Sequence, residues 1–492
     1  MTDLIVALAL TAFLLPIVAG LAIQLAATAR AADWAAAATA AVTAACALAV
    51  AVMALNRSTP VKVLKLGVVD KPGAIFLAAI AVVGLMSALL SPSYLGTSER
   101  GFFRAERSRR WYYLTFFLFW AALLAVPLAA NLTSAWLLIE ATTGASALLV
   151  AFNGKRSALE AGWKYLVLTT LGLTVALLGI VILVAADRGH AGGLALADWS
   201  ELGRRTAAIP HGPALTAFVL ILVGLAAKIG WAPVHNWLPD AHSEAPPPVS
   251  ALLSAALLPA VVLVAWRVKT ALLPAIGAPA ARHVFIGFGL ASLAIAVPFL
   301  WRPLAWKRLL AYSSLEHMGV LALGIGFGSK LALAGVVLHV LGHALAKSLG
   351  FYAATPLLQL QPAAARYSPR GLAQTSPTLG SAVGVSLVTL SVLPPSPLFV
   401  SELFILFGGA LAGQTAVVAI AAVLLALAFL GLAHALVESL VGRPRLHREH
   451  AASTRPLAFA GAAVTAGLIA LTATAYLLPG STLVADLWRW AS

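Results

Sequence analysis

The stretch KIGWAPVHNWLPDAHSEAPPPVSALL, residues 228–253, decides the fold because its prolines interrupt an apolar region. Pro233, Pro239 and the run from Pro246 to Pro248 have no backbone N–H, so one continuous helix cannot pass through them. Inside a bilayer, irregular backbone is tolerated only where other protein or a water-filled cavity covers it. The stretch therefore predicts a broken transmembrane helix.

A second break is predicted in LSVLPPSPLFVSELFIL, residues 390–406, where Pro394, Pro395 and Pro397 precede a glutamate. Two interrupted helices in the two halves of a chain are typical of transporters built from inverted repeats. We therefore predict two inverted repeats, each with one broken helix.

The composition indicates an integral membrane protein. Of the 492 residues, 61% are hydrophobic and 10% are charged, which is far from the balance of a soluble domain. Apolar runs of about 20 residues recur along the chain, and each is long enough to cross the lipid bilayer as a helix. We predict an all-α polytopic fold with about fourteen transmembrane helices, because barrel strands would need alternating hydrophobicity.

The charge pattern and the cysteine count exclude two classes of function. The formal net charge is +15, but the 32 Lys and Arg residues are scattered through many short loops, which indicates membrane topology rather than nucleic-acid binding. Cys46 is the one cysteine, so neither an internal disulfide nor a four-thiolate iron–sulfur cluster can form. We therefore predict no cofactor in this chain, and any redox centre must lie in another subunit.

Charged residues inside the predicted helices are the first candidates for function, since a charge at mid-bilayer costs roughly 2.5–3.5 kcal/mol. Glu140 lies within the apolar run SAWLLIEATTGASALLV. Lys164 follows Glu160 by one helical turn, a spacing that favours an ion pair. Lys228 ends an apolar run directly before the first break.

Histidines and two further charges extend this series. His339, His343 and Lys347 recur every four residues in VVLHVLGHALAKSLGF, which places them on one helical face. The predicted proton relay also includes His235 in the first break, His317 after Glu316, and Glu402 after the second break. Such a series can pass protons sideways across a helical bundle, because each site changes the pKa of its neighbours when its charge changes.

Structural interpretations of the same residues stay open. Buried ion pairs that only stabilise the fold would also explain Glu140, Lys228 and Lys347, and a solvated helix end would explain Glu160. The two histidines of HVLGH have a zinc-like spacing, but the glutamate of H-E-x-x-H is absent and no thiolate is available. We therefore predict no metal site.

Three motifs resemble the antiporter-like proton-pumping subunits of respiratory complex I, Mrp-type cation/proton antiporters and membrane-bound hydrogenases. They are the stretch 228–253, WKRLLAYSSLEHMG at residues 306–319 and HALAKSLGF at residues 343–351. The segments IEATTGASALLVAF, LEAGWKYL, SSLEHMG and LPPSPLFVSEL are most similar to the branch of hydrogenase-4 component F and formate hydrogenlyase subunit 3.

The resemblance implies a division of the chain into four regions. These are N-terminal transmembrane helices in residues 1–110, a first antiporter-like repeat in 111–271, a second in 272–441, and a C-terminal transmembrane helix in 442–492.

The resemblance also implies a role for individual residues. Glu140 and Lys228 would form the ion pair at which protons arrive. A central relay would be formed by His317, His343 and Lys347, and Glu402 would be the terminal site.

The function implied is that of a proton-translocating subunit of a membrane-bound hydrogenase-like or NADH dehydrogenase-like oxidoreductase complex in a prokaryotic plasma membrane. Its partners would be other membrane subunits and a peripheral hydrogenase-like arm that carries iron–sulfur proteins. The chain itself would move protons and would have no catalytic centre of its own.

Two alternatives belong to other classes: a subunit of a cation/proton antiporter or inorganic-carbon uptake system, and a degenerate membrane scaffold. Departures from the family pattern leave the scaffold open, and they include fewer glycines around the second break than is usual. Pro259 stands where many relatives have a lysine, and Ala305 stands where an acidic residue is usual. The central relay would then depend on histidines and water.

Overall fold

The computed structural model describes residues 2–64, 66–96, 105–187, 193–444 and 454–477, and most of them are helical. In chain order the α-helices are α1 (Thr2–Ala22), α2 (Ala29–Leu55), α3 (Lys71–Leu95), α4 (Ala105–Ala125), α5 (Leu132–Val150), α6 (Arg156–Ala186), α7 (Trp199–Thr206), α8 (His211–Ile229), α9 (Trp237–Glu244), α10 (Pro247–Leu252), α11 (Leu258–Ile276), α12 (Ala278–Leu300), α13 (Trp306–Phe327), α14 (Lys330–Tyr352), α15 (Ala354–Leu360), α16 (Leu372–Thr375), α17 (Pro377–Leu390), α18 (Pro397–Leu411), α19 (Thr415–Val441) and α20 (Arg455–Leu477). Residues 445–453 and 478–492 of the predicted C-terminal region lie outside the described residues.

Thirteen helical segments of the described residues are long and apolar enough to cross a bilayer. The segment Pro247–Ile276 joins α10 to α11, and Lys330–Leu360 joins α14 to α15. The shorter apolar helices α17 and α18 lie on either side of the second break and together match one predicted crossing. The predicted all-α polytopic fold is therefore confirmed.

One small sheet departs from this helical pattern within the described residues. Strands β1 (Val61–Val63) and β2 (Gly67–Val69) pair antiparallel between α2 and α3, with Lys62 opposite Val68. The hairpin is too short to cross a bilayer, so it belongs to a connection.

The chain divides into two compact units. The first contains Met1–Gly230 and Glu244–Val284, and the second contains Trp231–Ser243 and Phe285–Ser492.

In the first unit, glycines let α6 and α8 pack backbone against backbone. A Cβ atom on Gly224 would lie 2.4 Å from the Gly172 carbonyl oxygen, and one on Gly179 would lie 2.7 Å from the Ala217 carbonyl oxygen. Small residues at such crossings are typical of helix packing in membranes. The contact holds the last turn of α8 against the first half of α6.

In the second unit, α13 is buried along its whole apolar length, and α14 packs closely on α18. A Cβ atom on Gly335 would lie 2.7 Å from the Ser401 carbonyl oxygen, and one on Gly342 would lie 3.1 Å from the Leu398 side chain. These glycines bring the histidine-bearing face of α14 next to the helix that follows the second break.

Both predicted helix breaks are confirmed. Helix α8 ends at Ile229, Gly230 takes a left-handed φ of 77°, and Pro233 lies in the unwound segment before α9. Pro239 lies within the first turn of α9, where a helix does not use the backbone N–H, so it belongs to the short helix rather than to the break. At the second break, the chain between α17 and α18 contains Pro394 and Pro395.

A π-helical turn at Leu253–Leu257 precedes Pro259. Proline has no N–H to donate to the carbonyl four residues earlier, and its ring clashes with that carbonyl in a regular helix. The wider turn accommodates Pro259 within a transmembrane segment that is buried from Pro247 through Val268.

Candidate functional site

Lys228 lies at the end of α8 in a pocket of neutral oxygens, with no exposed side-chain surface. Its Nζ donates to Tyr165 Oη at 2.6 Å and to Thr143 Oγ1 at 2.7 Å. It also lies 4.7 Å from the centre of the Tyr165 ring, where an aromatic face attracts a cation. Helices α5 and α6 thus each supply one acceptor to a buried ammonium group.

The hydroxyls around Lys228 form a directed chain. Ser146 donates to the Thr142 carbonyl at 2.5 Å, so Ser146 is free to accept from Tyr165 at 2.7 Å. Tyr165 Oη in turn accepts from Lys228. Each donor in this chain therefore has an acceptor, as a buried polar network requires.

Glu140 lies on α5, and its Oε1 accepts from Thr170 Oγ1 of α6 at 3.1 Å. Glu140 is close enough to Lys228 for an electrostatic interaction, but among the described residues the direct partners of the ammonium are hydroxyls. The structure thus brings the two residues into one neighbourhood without a contact ion pair. Glu140 Oε2 is buried without a hydrogen-bond partner.

Lys164 points away from this pocket. Its side chain is 46% exposed and forms the predicted ion pair with Glu160, with Nζ and Oε1 2.7 Å apart. The buried face of α6 is formed instead by Ala161, Tyr165 and Thr169. The structure does not bring Lys164 together with Lys228.

In the second unit, Lys347 of α14 is held much as Lys228 is. Its side chain has no exposed surface, and Nζ donates to Ser313 Oγ at 2.9 Å and to the Leu310 carbonyl at 3.0 Å, both on α13. Glu316 interacts with Lys347 electrostatically without forming its direct hydrogen bonds. Each unit therefore holds a buried lysine on neutral oxygens with a glutamate nearby.

Three predicted histidines form one buried cluster. The ring centre of His317, on α13, lies 5.1 Å from that of His339 and 5.3 Å from that of His343, both on α14. His317 Nδ1 and His339 Nε2 are 3.1 Å apart, and His339 Nδ1 lies 2.9 Å from Ser401 Oγ. All three side chains have no exposed surface.

Glu402, on α18, adjoins this cluster and is 7% exposed. It lines a cavity of about 330 Å³ together with Glu316 and Ser391, while the other lining residues are apolar. Its Oε1 is buried without a hydrogen-bond partner. The structure thus brings Glu402 together with His317 and His339, as a polar series through this unit requires.

His235 lies in the unwound segment after α8, where its side chain is 9% exposed and Nδ1 is unpartnered. His242 is a residue of the same motif that the sequence analysis did not select. It is fully buried, its ring stacks on Phe351 at 5.2 Å, and it is an electrostatic neighbour of His343.

Several hydroxyl residues of the site were also not predicted from the sequence, because the candidate residues were chosen by their charge. Tyr165, Thr143, Ser313 and Ser401 each contact a buried base directly. The small and hydroxyl residues spaced four apart on α6 mark its buried face and would have favoured Tyr165 over its neighbour Lys164.

The fold and these buried clusters define a multi-pass membrane protein with titratable groups inside its helical units. The family described as NADH:quinone oxidoreductase/Mrp antiporter, TM, matches residues 129–428, more than half of the chain. The chain belongs to this family, and the predicted family is confirmed.

Individual relatives agree with this assignment. The chain is 32% identical to a hydrogenase-4 component F homolog from Methylacidiphilum infernorum (isolate V4), over 77% of this chain and 79% of the relative. It is 31% identical to NADH-quinone oxidoreductase subunit N of Desulforudis audaxviator (strain MP104C), over 72% and 68%. A chain of the membrane-bound sulfane sulfur reductase, an archaeal respiratory membrane complex, has the same fold, with a TM-score of 0.82, 19% identity and coverage of 99% and 97%.

Proposed function

We propose that this chain is the proton-translocating membrane subunit of a hydrogenase-like or NADH dehydrogenase-like oxidoreductase complex. The observation that carries the proposal is the pair of buried lysines, Lys228 and Lys347, held by neutral oxygens with a glutamate nearby. An ion pair that only stabilised the fold would place the carboxylate in contact with the ammonium, because an uncompensated buried charge is costly. A loosely coupled pair instead leaves the lysine free to change its charge.

In the first unit, the charge of Glu140 would set the charge of Lys228. A negative carboxylate nearby stabilises the ammonium, and its neutralisation removes that support. A neighbouring subunit that drew Glu140 away or protonated it would make Lys228 release a proton. Tyr165 and Thr143 would keep the side chain in place in both states, since a hydroxyl can accept from an ammonium or donate to an amine.

In the second unit, the proton would pass between Lys347, the histidine cluster and Glu402. Neutral imidazole carries one N–H and one lone pair, so it can take a proton at one nitrogen and release one at the other. The contact between His317 Nδ1 and His339 Nε2 is short enough for direct transfer. Glu402 would be the terminal site, because it lines the cavity next to this cluster.

The names of the relatives support the wider assignment. We propose that the chain works with other membrane subunits in a multi-subunit complex, with a peripheral hydrogenase-like arm of iron–sulfur proteins, in a prokaryotic plasma membrane. Electron transfer would occur in that arm and would bias the charge of Glu140. The division into residues 1–110, 111–271, 272–441 and 442–492 is part of the same proposal.

Reconstitution of the native complex in proteoliposomes with an internal pH dye tests this function. Addition of the electron donor should start proton movement in the wild type and should fail to do so in Lys347→Ala. Lys330→Ala is the matched control, because Lys330 lies at the exposed start of the same helix α14. Equal proton movement in the wild type and in Lys347→Ala would reject the proposal.

The family description also names Mrp antiporters, so cation/proton exchange is the second candidate. The same vesicles distinguish the two. Proton movement that follows a sodium gradient without any electron donor would favour exchange, and no proton movement under either condition would favour a scaffold.

A further inference from the structure

Three buried side chains from three helices converge in the second unit: His317 of α13, His339 of α14 and Glu402 of α18. One ligand atom from each lies within 4.8 Å of the other two. Their side chains are 0%, 0% and 7% exposed. Two imidazole nitrogens and one carboxylate oxygen form the ligand set of open zinc sites, in which water takes the fourth position. We propose that this His-His-Glu cluster binds one Zn²⁺ ion.

The hydrogen bonds of His339 fix which of its nitrogens is available. Ser401 Oγ donates its one hydrogen to the Leu398 carbonyl at 2.7 Å, so it accepts from His339 Nδ1–H at 2.9 Å. His339 Nε2 then carries a lone pair directed at His317. A ligand histidine whose second nitrogen donates to an oxygen is the usual outer arrangement of zinc sites.

His317 also turns one nitrogen away from the cluster. Its Nε2 lies 3.4 Å from Glu316 Oε2 without a hydrogen bond between the two atoms, and its Nδ1 faces His339. A hydrogen bond from Nε2 to this carboxylate would orient the ring of a ligand histidine and make its other nitrogen more basic. Both histidines therefore present one nitrogen to the cluster and turn the other toward an oxygen.

The two inner nitrogens are 3.1 Å apart, so two lone pairs cannot face each other there without a cation between them. A proton fills the gap when His317 Nδ1 is protonated. A tetrahedral metal ion with bonds of about 2.0–2.1 Å requires nitrogens about 3.3 Å apart, which is within a small shift of the observed distance. Metal binding would displace that proton to water.

Glu402 supplies the third ligand, and it lines the cavity through which an ion would reach the cluster. Its Oε1 is buried without a hydrogen-bond partner, so this oxygen has lone pairs to offer to a cation. The cavity of about 330 Å³ that it lines also contains Glu316, so two carboxylates border the approach. A hydrated divalent cation is attracted by both.

The proposed site differs from the zinc-like spacing considered in the sequence. The ring centres of His339 and His343 are 6.5 Å apart, and His343 is not a member of the cluster. The ligands come instead from three helices and are brought together by the glycine contacts between α14 and α18. His343 is therefore a matched control for the ligand histidines.

Zn²⁺ binding to the purified full chain, without a histidine tag and washed with a chelator, tests the site by equilibrium dialysis. The wild type should bind one ion tightly, and replacement by Co²⁺ should give the visible absorption of a tetrahedral complex. Glu402→Gln and His339→Ala should each weaken binding at least tenfold, whereas His343→Ala should bind as the wild type does. Size-exclusion profiles identify a variant that has not folded, in which case His317→Gln replaces it.

Two outcomes would overturn the site: no tight binding by the wild type, or an equal loss of affinity in His343→Ala and His339→Ala. The expected consequence for transport rests on the proposed function, because Zn²⁺ would occupy the position of the relayed proton. Zn²⁺ should therefore stop proton movement in wild-type vesicles, and removal of the ion with a chelator should restore it. Tight binding without inhibition would leave the metal site intact and contradict the relay.

Discussion

The Lys228 ammonium lies 2.6 Å from the Tyr165 hydroxyl and 4.7 Å from the centre of the Tyr165 ring, at the contact between α8 and α6. The family resemblance implies Glu140 as the partner of this lysine, yet the tyrosine and Thr143 hold it. A neutral partner keeps the position of the ammonium independent of the charge on the glutamate.

Tyr165→Phe should lower donor-driven proton movement about tenfold while the complex still assembles. The variant keeps the ring beneath the ammonium and removes one acceptor, a change worth about 1 kcal/mol of stability. Tyr112→Phe is the control, because Tyr112 is an equally buried tyrosine whose hydroxyl lies 2.8 Å from that of Ser91. If both variants lose the same stability and the same flux, Tyr165 has only a structural role.

Glu140→Gln should abolish coupled proton movement and leave assembly intact. Glutamine keeps the shape of the side chain and can still accept from Thr170, but it cannot change its charge. Proton flux in reconstituted vesicles measures the effect. The matched control is Glu160→Gln, which removes an exposed carboxylate on α6. Normal pumping by Glu140→Gln would show that its charge is not required.

Lys164→Ala should leave proton movement within about twofold of the wild type, in contrast to Lys228→Ala. Lys164 is 46% exposed and paired with Glu160, and such exposed pairs contribute little. The comparison of the two variants in one preparation checks this prediction. A loss of flux in Lys164→Ala as large as that in Lys228→Ala would show that Lys164 is part of the proton relay.

The two helix breaks were predictable because proline removes a backbone donor wherever it stands. The buried charges were equally predictable, since a charge in an apolar run is recognised from the sequence alone. They are Glu140, Lys228 and Lys347. The neighbours of Lys228 were not, because they depend on how α6 rotates against α8. That rotation is set by the close contact between Gly172 and Gly224. No charged residue in the sequence indicates this contact.

The cluster around His317 shows the same limit. The spacing of His339 and His343 predicts one helical face, and in the structure both rings lie beside His317. Glu402 is distant in sequence and joins them only because α18 packs on α14. Helix periodicity determines faces within one helix, whereas contacts between helices require the packing itself.

Gly224→Ala should destabilise the first unit by about 1–3 kcal/mol, as overpacking does. The added Cβ would lie 2.4 Å from the Gly172 carbonyl oxygen, so α8 must move away from α6. Proton flux should fall as well, because Lys228 is one turn further along α8 and would lose its contact with Tyr165. Gly212→Ala on the same helix has no atom within 4 Å of its Cβ and should match the wild type in melting temperature and flux. An unchanged melting temperature in Gly224→Ala would contradict the close packing.

His317→Gln should lower proton flux at least tenfold, because His317 contacts both histidines of α14 and glutamine cannot take up a proton. The ring centres lie 5.1 and 5.3 Å away, so removal of the central ring interrupts both steps. Glutamine can still donate a hydrogen bond from its amide to His339 Nε2. A loss of flux in this variant would therefore result from the missing titratable group and not from a missing hydrogen bond. His434→Ala is the control, since His434 lies on an exposed face of α19. Flux in vesicles, compared at equal amounts of assembled complex, measures the effect. Equal flux in the wild type and His317→Gln would reject the histidine relay.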